Sequence, residues 1–172
     1  AGVEELSDIE VPEKALWLRT LVLEMARTAS YLMWFGGAAG SLGMGMVGQW
    51  TNYLRDYILD RFEELSGGRI YHMYILPGGV RNNLPDGFKE RLLDNLKDIE
   101  SVMKDIDKIL FTNAVFKKRT VGLGYIDPSW IEPFGITGPN ARAAGVPLDV
   151  RKDSPYLKYD ELDFEPVTGK DS

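Results

Sequence analysis

SLGMGMVGQW, Ser41–Trp50, is the stretch that decides what kind of molecule this sequence describes. Gly43, Gly45 and Gly48 stand in G-x-G-x-x-G spacing, which lets a main chain approach a dinucleotide pyrophosphate when a strand leads in and a helix leads out. The same residues sit in a stretch from Thr28 to Leu54 that holds no charge and is long enough on paper to cross a bilayer. Small residues also let two helices pack closely. A cofactor loop, a membrane span and a helix contact are three different proteins.

The flanks choose among them. Upstream, Leu18, Leu21, Met25, Ala29 and Leu32 recur at spacings of three and four behind Pro12, which a first helical turn tolerates, so the spacing predicts an amphipathic helix from about Pro12 to Phe35. A helix there removes the strand that a dinucleotide loop requires. Six glycines, Gly36, Gly37, Gly40, Gly43, Gly45 and Gly48, each weaken a water-exposed helix by about 1 kcal/mol. A break is therefore expected, with an irregular or kinked joint near Phe35–Ser41. A second helix then runs through Trp50, Tyr53, Leu54, Tyr57 and Ile58 and stops at Ser66–Gly68. The glycines are read as spacers between these two helices.

Further along, RIYHMYILPGGV, Arg69–Val80, is rich in β-formers and turns at Pro77-Gly78-Gly79, which suits a short strand or an extended connector. After Pro85, Phe88, Leu92, Leu96, Ile99, Met103, Ile106 and Leu110 keep a helical spacing with Lys, Asp and Glu opposite, as in a packed bundle helix. Beyond Thr120, repeated glycines and prolines forbid a long helix, and YLKYDELDF at the end alternates as a strand would. The expected architecture is mostly α: an antiparallel helical bundle with a glycine/proline-rich loop region and a few short strands. Residues 1–120 form the helical core, and residues 121–172 a loop-rich extension with a short helix and a terminal strand, packed on the same core.

Composition narrows the chemistry. A length of 172 residues with 44% hydrophobic content supports one sizeable core, and a net charge of −6 argues against a nucleic-acid partner. Without cysteine, this sequence supplies no thiolate nucleophile and no ligand of the usual kind for an iron–sulfur cluster. His72 is the only histidine, so a Ser-His triad or a histidine-cluster metal site would need another chain. Its plain reading is a hydrogen-bonded residue in an extended segment. In GPNARAAG, Gly138–Gly145, Arg142 lies between glycine-led turns that can aim a guanidinium and main-chain N–H groups at one point, or simply tie down a loop. No charged stretch followed by an apolar core and a small-residue cleavage site stands at the start of the sequence, so no secretory signal is expected.

Four phrases taken together, VPEKALWLRTLVLEMARTASYL, LSGGRIYHMYILPGGVRNNLPDG, LFTNAVFKKRTVGLG and GITGPNARAAGVPLDVRKDSPYLKYDELDF, resemble the 49-kilodalton type of subunit of respiratory complex I, the NADH:quinone oxidoreductase. That family is related to the large subunits of membrane-bound nickel–iron hydrogenases. The likeness spans nearly the whole chain and looks like the central segment of a longer protein. It implies an oxidoreductase subunit that binds no cofactor itself, docks a partner subunit carrying a [4Fe-4S] cluster, and shapes the site where electrons from NADH or another donor reduce a quinone with proton translocation. It also implies other complex I subunits as neighbours, a peripheral place on the cytoplasmic side of the membrane, and no transmembrane segment in this chain.

The residues the resemblance places near cluster or quinone are Arg27, Tyr31, Ser41, Arg69, Tyr71, His72 and Arg142. Tyr31 and Tyr71 stand where the family carries histidines, with His72 one step along, and Ser41 stands where it carries an aspartate supporting a quinone-binding histidine. If the segment around His72 is extended, that single step turns the imidazole to the opposite face. Alternative expectations are a hydrogenase large subunit and a non-catalytic helical scaffold; isolated, the chain is expected to be inactive.

Overall fold

In the computed structural model, residues 2–169 are described; residue 1 and residues 170–172, at the outer ends of the two expected segments, lie outside that range. The chain divides into two compact units, Ala1–Leu110 and Phe111–Ser172.

The first unit opens with a short helix α1 (Gly2–Leu6), followed by α2 (Glu13–Ser41) and α3 (Gly45–Ser66). Residues Ala15, Leu18, Val22, Met25, Ala29, Leu32, Gly36 and Ala39 of α2 are buried at strictly alternating spacings of three and four. One continuous stripe therefore faces the core. Val47, Thr51, Leu54, Ile58, Phe62 and Leu65 of α3 form the opposing stripe. A two-residue pairing, β1 (Ile75–Leu76) with β2 (Gly79–Val80), makes a small antiparallel hairpin, with Ile75 opposite Val80. Helix α4 (Phe88–Phe111) then lays Phe88, Leu92 and Ile99 into the same cluster as the α2 and α3 stripes. Leu96, on the same periodic face, is left largely exposed.

The three glycines of the opening motif do three jobs. Gly43 adopts φ +90°, and the Met44 and Gly43 amides donate back to Ala39 and Gly40 (2.9 and 3.0 Å), the paired bonds of a left-handed helix terminus. Gly45 starts α3. Gly48 meets Gly36 across the helix pair: a Cβ on Gly36 would stand 2.3 Å from Thr51 Oγ1 and 3.2 Å from the Gly48 Cα. Close helix contact is thus the correct reading, and no parallel sheet feeds the motif. The break, however, lies at Leu42–Met44 and not at Phe35–Ser41. The contact at Gly36, together with the good helix formers Ala38 and Ala39, offsets the glycine cost and carries α2 through to Ser41. No helix among the described residues is long and apolar enough to cross a membrane.

The second unit contains α5 (Ala114–Thr120), α6 (Gly138–Ala143) and α7 (Val150–Asp153) linked by turns. The stretch YLKYDELDF is a correction to the sequence expectation, since it forms a 3-10 turn at Tyr159–Glu161 and no strand. Leu157 takes φ +53°, which interrupts extension, and the Tyr156 and Phe164 rings gather around buried Tyr159 at 4.9 and 6.4 Å. Its aromatic spacing serves a local cluster.

Candidate functional site

The Arg69–Tyr74 segment begins where α3 is stopped. Gly67, at φ +78°, donates its amide to Glu63 O at 2.7 Å, and the Gly68 amide donates to Ser66 Oγ at 3.3 Å. The chain then doubles back so tightly that a Cβ on Gly68 would stand 3.0 Å from Tyr71 O. From there the backbone runs extended to the hairpin.

Side chains alternate along it. His72 and Tyr74 turn inward, while Ile70, Tyr71 and Met73 face solvent, Tyr71 at 90% exposure. The His72 ring stacks on Phe62 of α3, with centroids 3.8 Å apart and planes 12° from parallel. Its Nδ1 is buried and makes no hydrogen bond. Burial pushes the imidazole below its ordinary pKa, so the ring is neutral at pH 7. Tyr74 is buried and donates its hydroxyl to Asn82 O at 2.6 Å; burial raises its pKa. Ile70–Ile75 and Val22 of α2 line an open concavity of about 460 Å³. Its walls are apolar apart from the imidazole and the phenols.

Arg69 stands at the start of this segment and lies along α3, donating to Asp60 (2.5 Å), Glu63 (3.0 Å) and Asp56 (3.3 Å). These carboxylates recur every three or four residues, on one stripe of the helix. The hydrogen bonds it donates to Glu63 and Asp60 raise the guanidinium pKa further. One positive group therefore sits among three negative ones, and any field at this place is the sum of all four.

Arg27, Tyr31 and Ser41 share the outer face of α2. Arg27 donates to Glu24 at 2.5 and 3.0 Å, with its guanidinium carbon 5.6 Å above the Tyr31 ring. Met33 and Trp34 are exposed beside them. Ser41 lies about 21 Å along the axis from Arg27 and about 15 Å from Tyr31, at 1.5 Å per residue. Its hydroxyl donates to Gly37 O at 3.0 Å. Arg27 and Tyr31 thus form one local group, and Arg69, Tyr71 and His72 another. Ser41 joins neither.

Arg142 belongs to the second unit. It donates to Leu148 O at 3.4 Å and faces Asp149 at 3.6 Å, which is the loop-tying role. Asp149, 4% exposed, is held by Arg151 through Nε (3.0 Å) and Nη2 (2.7 Å). Those bonds lower its pKa to about 2. The Arg151 guanidinium lies 4.5 Å from the Phe164 ring centre.

Sequence reasoning missed a pair outside this set. Glu4 and Arg19 are buried together and grip the hairpin turn. A signal was present: Arg19 falls on the core stripe, four residues after Ala15 and three before Val22, where a charge needs a buried partner.

Comparison with known proteins shows what the chain is similar to. Residues 41–172 match the family model described as respiratory-chain NADH dehydrogenase, 49 Kd subunit. An NADH-quinone oxidoreductase subunit of Thermosipho melanesiensis is 44% identical over 164 residues, covering 95% of this chain and 45% of that protein. An F(420)H(2) dehydrogenase subunit of Methanosarcina mazei is 36% identical over 166 residues, covering 96% of this chain and 44% of that protein. Among solved structures, a chain of the membrane-bound sulfane sulfur reductase, an archaeal respiratory membrane complex, superimposes with a TM-score of 0.92 at 45% identity, over 99% of this chain and 46% of that one. The chain spans less than half the length of these relatives.

Proposed function

Because the chain belongs to the family of the 49 kDa subunit of respiratory-chain NADH dehydrogenase, we propose that it docks a [4Fe-4S]-bearing partner and shapes the site where that cluster passes electrons to a quinone. The complex would be an oxidoreductase fed by NADH or another donor and coupled to proton translocation, with this subunit peripheral on the cytoplasmic side. The observation that carries the proposal is the Arg69–Tyr74 segment. It offers exposed Ile70, Tyr71 and Met73 to a partner and a neutral His72 beside an apolar concavity.

In this reading the chain's own residues bind and orient. The apolar wall excludes water from the quinone head, and the imidazole, held flat against Phe62, presents fixed polar edges. Arg69 holds the interface and contributes positive charge that stabilises a reduced centre. Arg27 does the same from α2, while Arg142 pins its own loops. No cysteine lies in these 172 residues, and in this reading the cluster's thiolates belong to the partner.

Arg69→Ala in the assembled complex tests this. Removing the cation leaves Asp56, Asp60 and Glu63 uncompensated, so the cluster potential should fall by tens of millivolts, the scale of one charge about 10 Å away at an effective dielectric of about 20. The quinone reductase rate should fall with it. If potential and rate both stay at wild-type values, Arg69 has no such role.

A second acceptor is supported by Ser41. A hydroxyl already donating to Gly37 O sets no charge where the family resemblance implies an aspartate, and the superimposed structure comes from a membrane-bound sulfane sulfur reductase. Assaying the assembled complex with a quinone and with a sulfane-sulfur donor separates the two. Cysteine pairs elsewhere in the full-length protein would mark a hydrogenase, and a metal-free, inactive assembly a scaffold.

A further inference from the structure

The residues between Gly68 and the hairpin hold few main-chain bonds, the Arg81 amide to Tyr74 O at 2.8 Å being one, so something else must fix their pose. Upstream they are anchored by the α3 terminus. Downstream the hairpin itself is weak, because two residues per strand cannot sustain an independent sheet. Its fixation comes from side chains of two helices. Arg19 of α2, 3% exposed, donates Nη1 to Glu4 Oε2 (3.0 Å) and Nη2 to Glu4 Oε1 (2.5 Å), then reaches the turn with Nη2 to Leu76 O (3.0 Å) and Gly79 O (2.9 Å) and Nε to Gly79 O (3.2 Å). Glu4 of α1, 7% exposed, completes the grip by accepting from the Gly78 amide at 2.8 Å. Main-chain groups on both sides of the turn are thus held by one ion pair.

We infer that Glu4 and Arg19 are positioning residues for the candidate site: their pairing sets the pose in which Arg69–Tyr74 is presented to partner and substrate, without touching either. The inference rests on the functional reading above, which makes that segment the working edge. Two planar groups that satisfy each other leave the turn a single orientation, whereas an apolar contact would tolerate several. Gly78 fits the same seat. Its φ of +82° forms the turn, and a Cβ added there would lie 3.4 Å from Ile9 Cγ2. Arg19's hydrogen bonds hold the Glu4 carboxyl well below its usual range, so the grip stays ionised at any working pH.

The test uses the full-length protein in its assembled complex, with Glu4→Gln, Arg19→Lys and the double variant Glu4→Met/Arg19→Leu. The double variant leaves no buried charge unpaired, so it folds even if a single change does not. Amide exchange should accelerate by about tenfold or more at Gly78 and at Arg81, whose amide is bonded to Tyr74 O of the segment, with amides of the α3 core from Leu54 to Phe62 unchanged. Turnover should fall several-fold in parallel while the acceptor KM stays within about twofold. Unchanged exchange at these two amides, or equal acceleration in α3, overturns the inference. Local loosening with full turnover also overturns it. Arg69→Ala keeps the two claims apart: if that variant lowers rate or potential, the functional reading stands without the clamp; if it is silent as well, the clamp falls together with the role given to Arg69.

Discussion

The two units are held together by different means. In the first, α2, α3 and α4 bury a continuous set of Leu, Ile, Val, Met and Phe side chains, each contributing about 1.5–3 kcal/mol on burial. In the second, the buried residues among those described are Ile131, Ala141, Asp149 and Tyr159. So small an apolar set cannot order many glycine- and proline-rich turns. The polar knot of Asp149, Arg151 and Arg142, lidded by Phe164 and Tyr159, supplies what the core does not. An apolar stripe spreads its contribution over many side chains, while a knot concentrates its contribution in one carboxylate.

Asp149→Asn should break the contrast most sharply. It removes a buried charge and leaves two arginines uncompensated, at a cost of about 3 kcal/mol. Amide exchange should rise across the second unit and stay at the wild-type level in α3; a uniform rise would mean that the units share one source of stability. Acid should act in the same place. The Asp149 carboxyl is held at about 2, so its contribution is complete above the ordinary value of about 3.9 and is lost as pH falls toward 2.

Gly36→Ala attacks the first unit where it has no slack. The added methyl meets Thr51 Oγ1 and the Gly48 backbone, and overpacking of this kind costs about 1–3 kcal/mol. Denaturant unfolding should record the loss, and Thr51→Ala on top of it should recover part. No recovery would place the strain in the backbone contact with Gly48 alone.

A smaller effect sharpens the comparison at neutral pH. In the unfolded chain the His72 imidazole takes up a proton near about pH 6.5, and in the folded chain only at lower pH. Between those points the unfolded state holds the extra proton. Stability from this group is therefore full above about pH 6.5 and declines as pH drops through the window, by at most about 1.4 kcal/mol per pH unit. His72→Phe, which preserves the ring stack on Phe62, should flatten that slope in an unfolding series from pH 7 to 5; an identical slope would assign it to another group.

Much of the first unit was legible because its information is local. Spacings of three and four gave α2, α3 and α4, and the missing strand before Gly43 excluded the dinucleotide loop. The position of the break was not legible, since the packing of Gly36 on Gly48 is a tertiary fact that overrides propensity. Tyr159 shows the same limit in the second unit: alternation fits a strand, but three aromatics and a positive φ at Leu157 produced a turn. For the candidate site, the one-residue offset put His72 and Tyr71 on opposite faces, while which of them turns inward depends on the packing of His72 against Phe62. The carboxylates that hold Arg69 lay on α3 at helical spacing, and Glu4 on Arg19 joins residues whose sequence separation carries no pattern.

The outer face of α2 has one more consequence. It leaves Trp34 67% in water beside Met33 and Tyr31, an apolar surface of the kind that loses free energy on being covered. Outside an assembly, the mutual repulsion of chains at a formal −6 keeps such faces apart. That repulsion reaches only about 10 Å at 0.1 M salt, and shorter distances as salt rises. Ionic strength therefore governs how long the free chain remains dispersed.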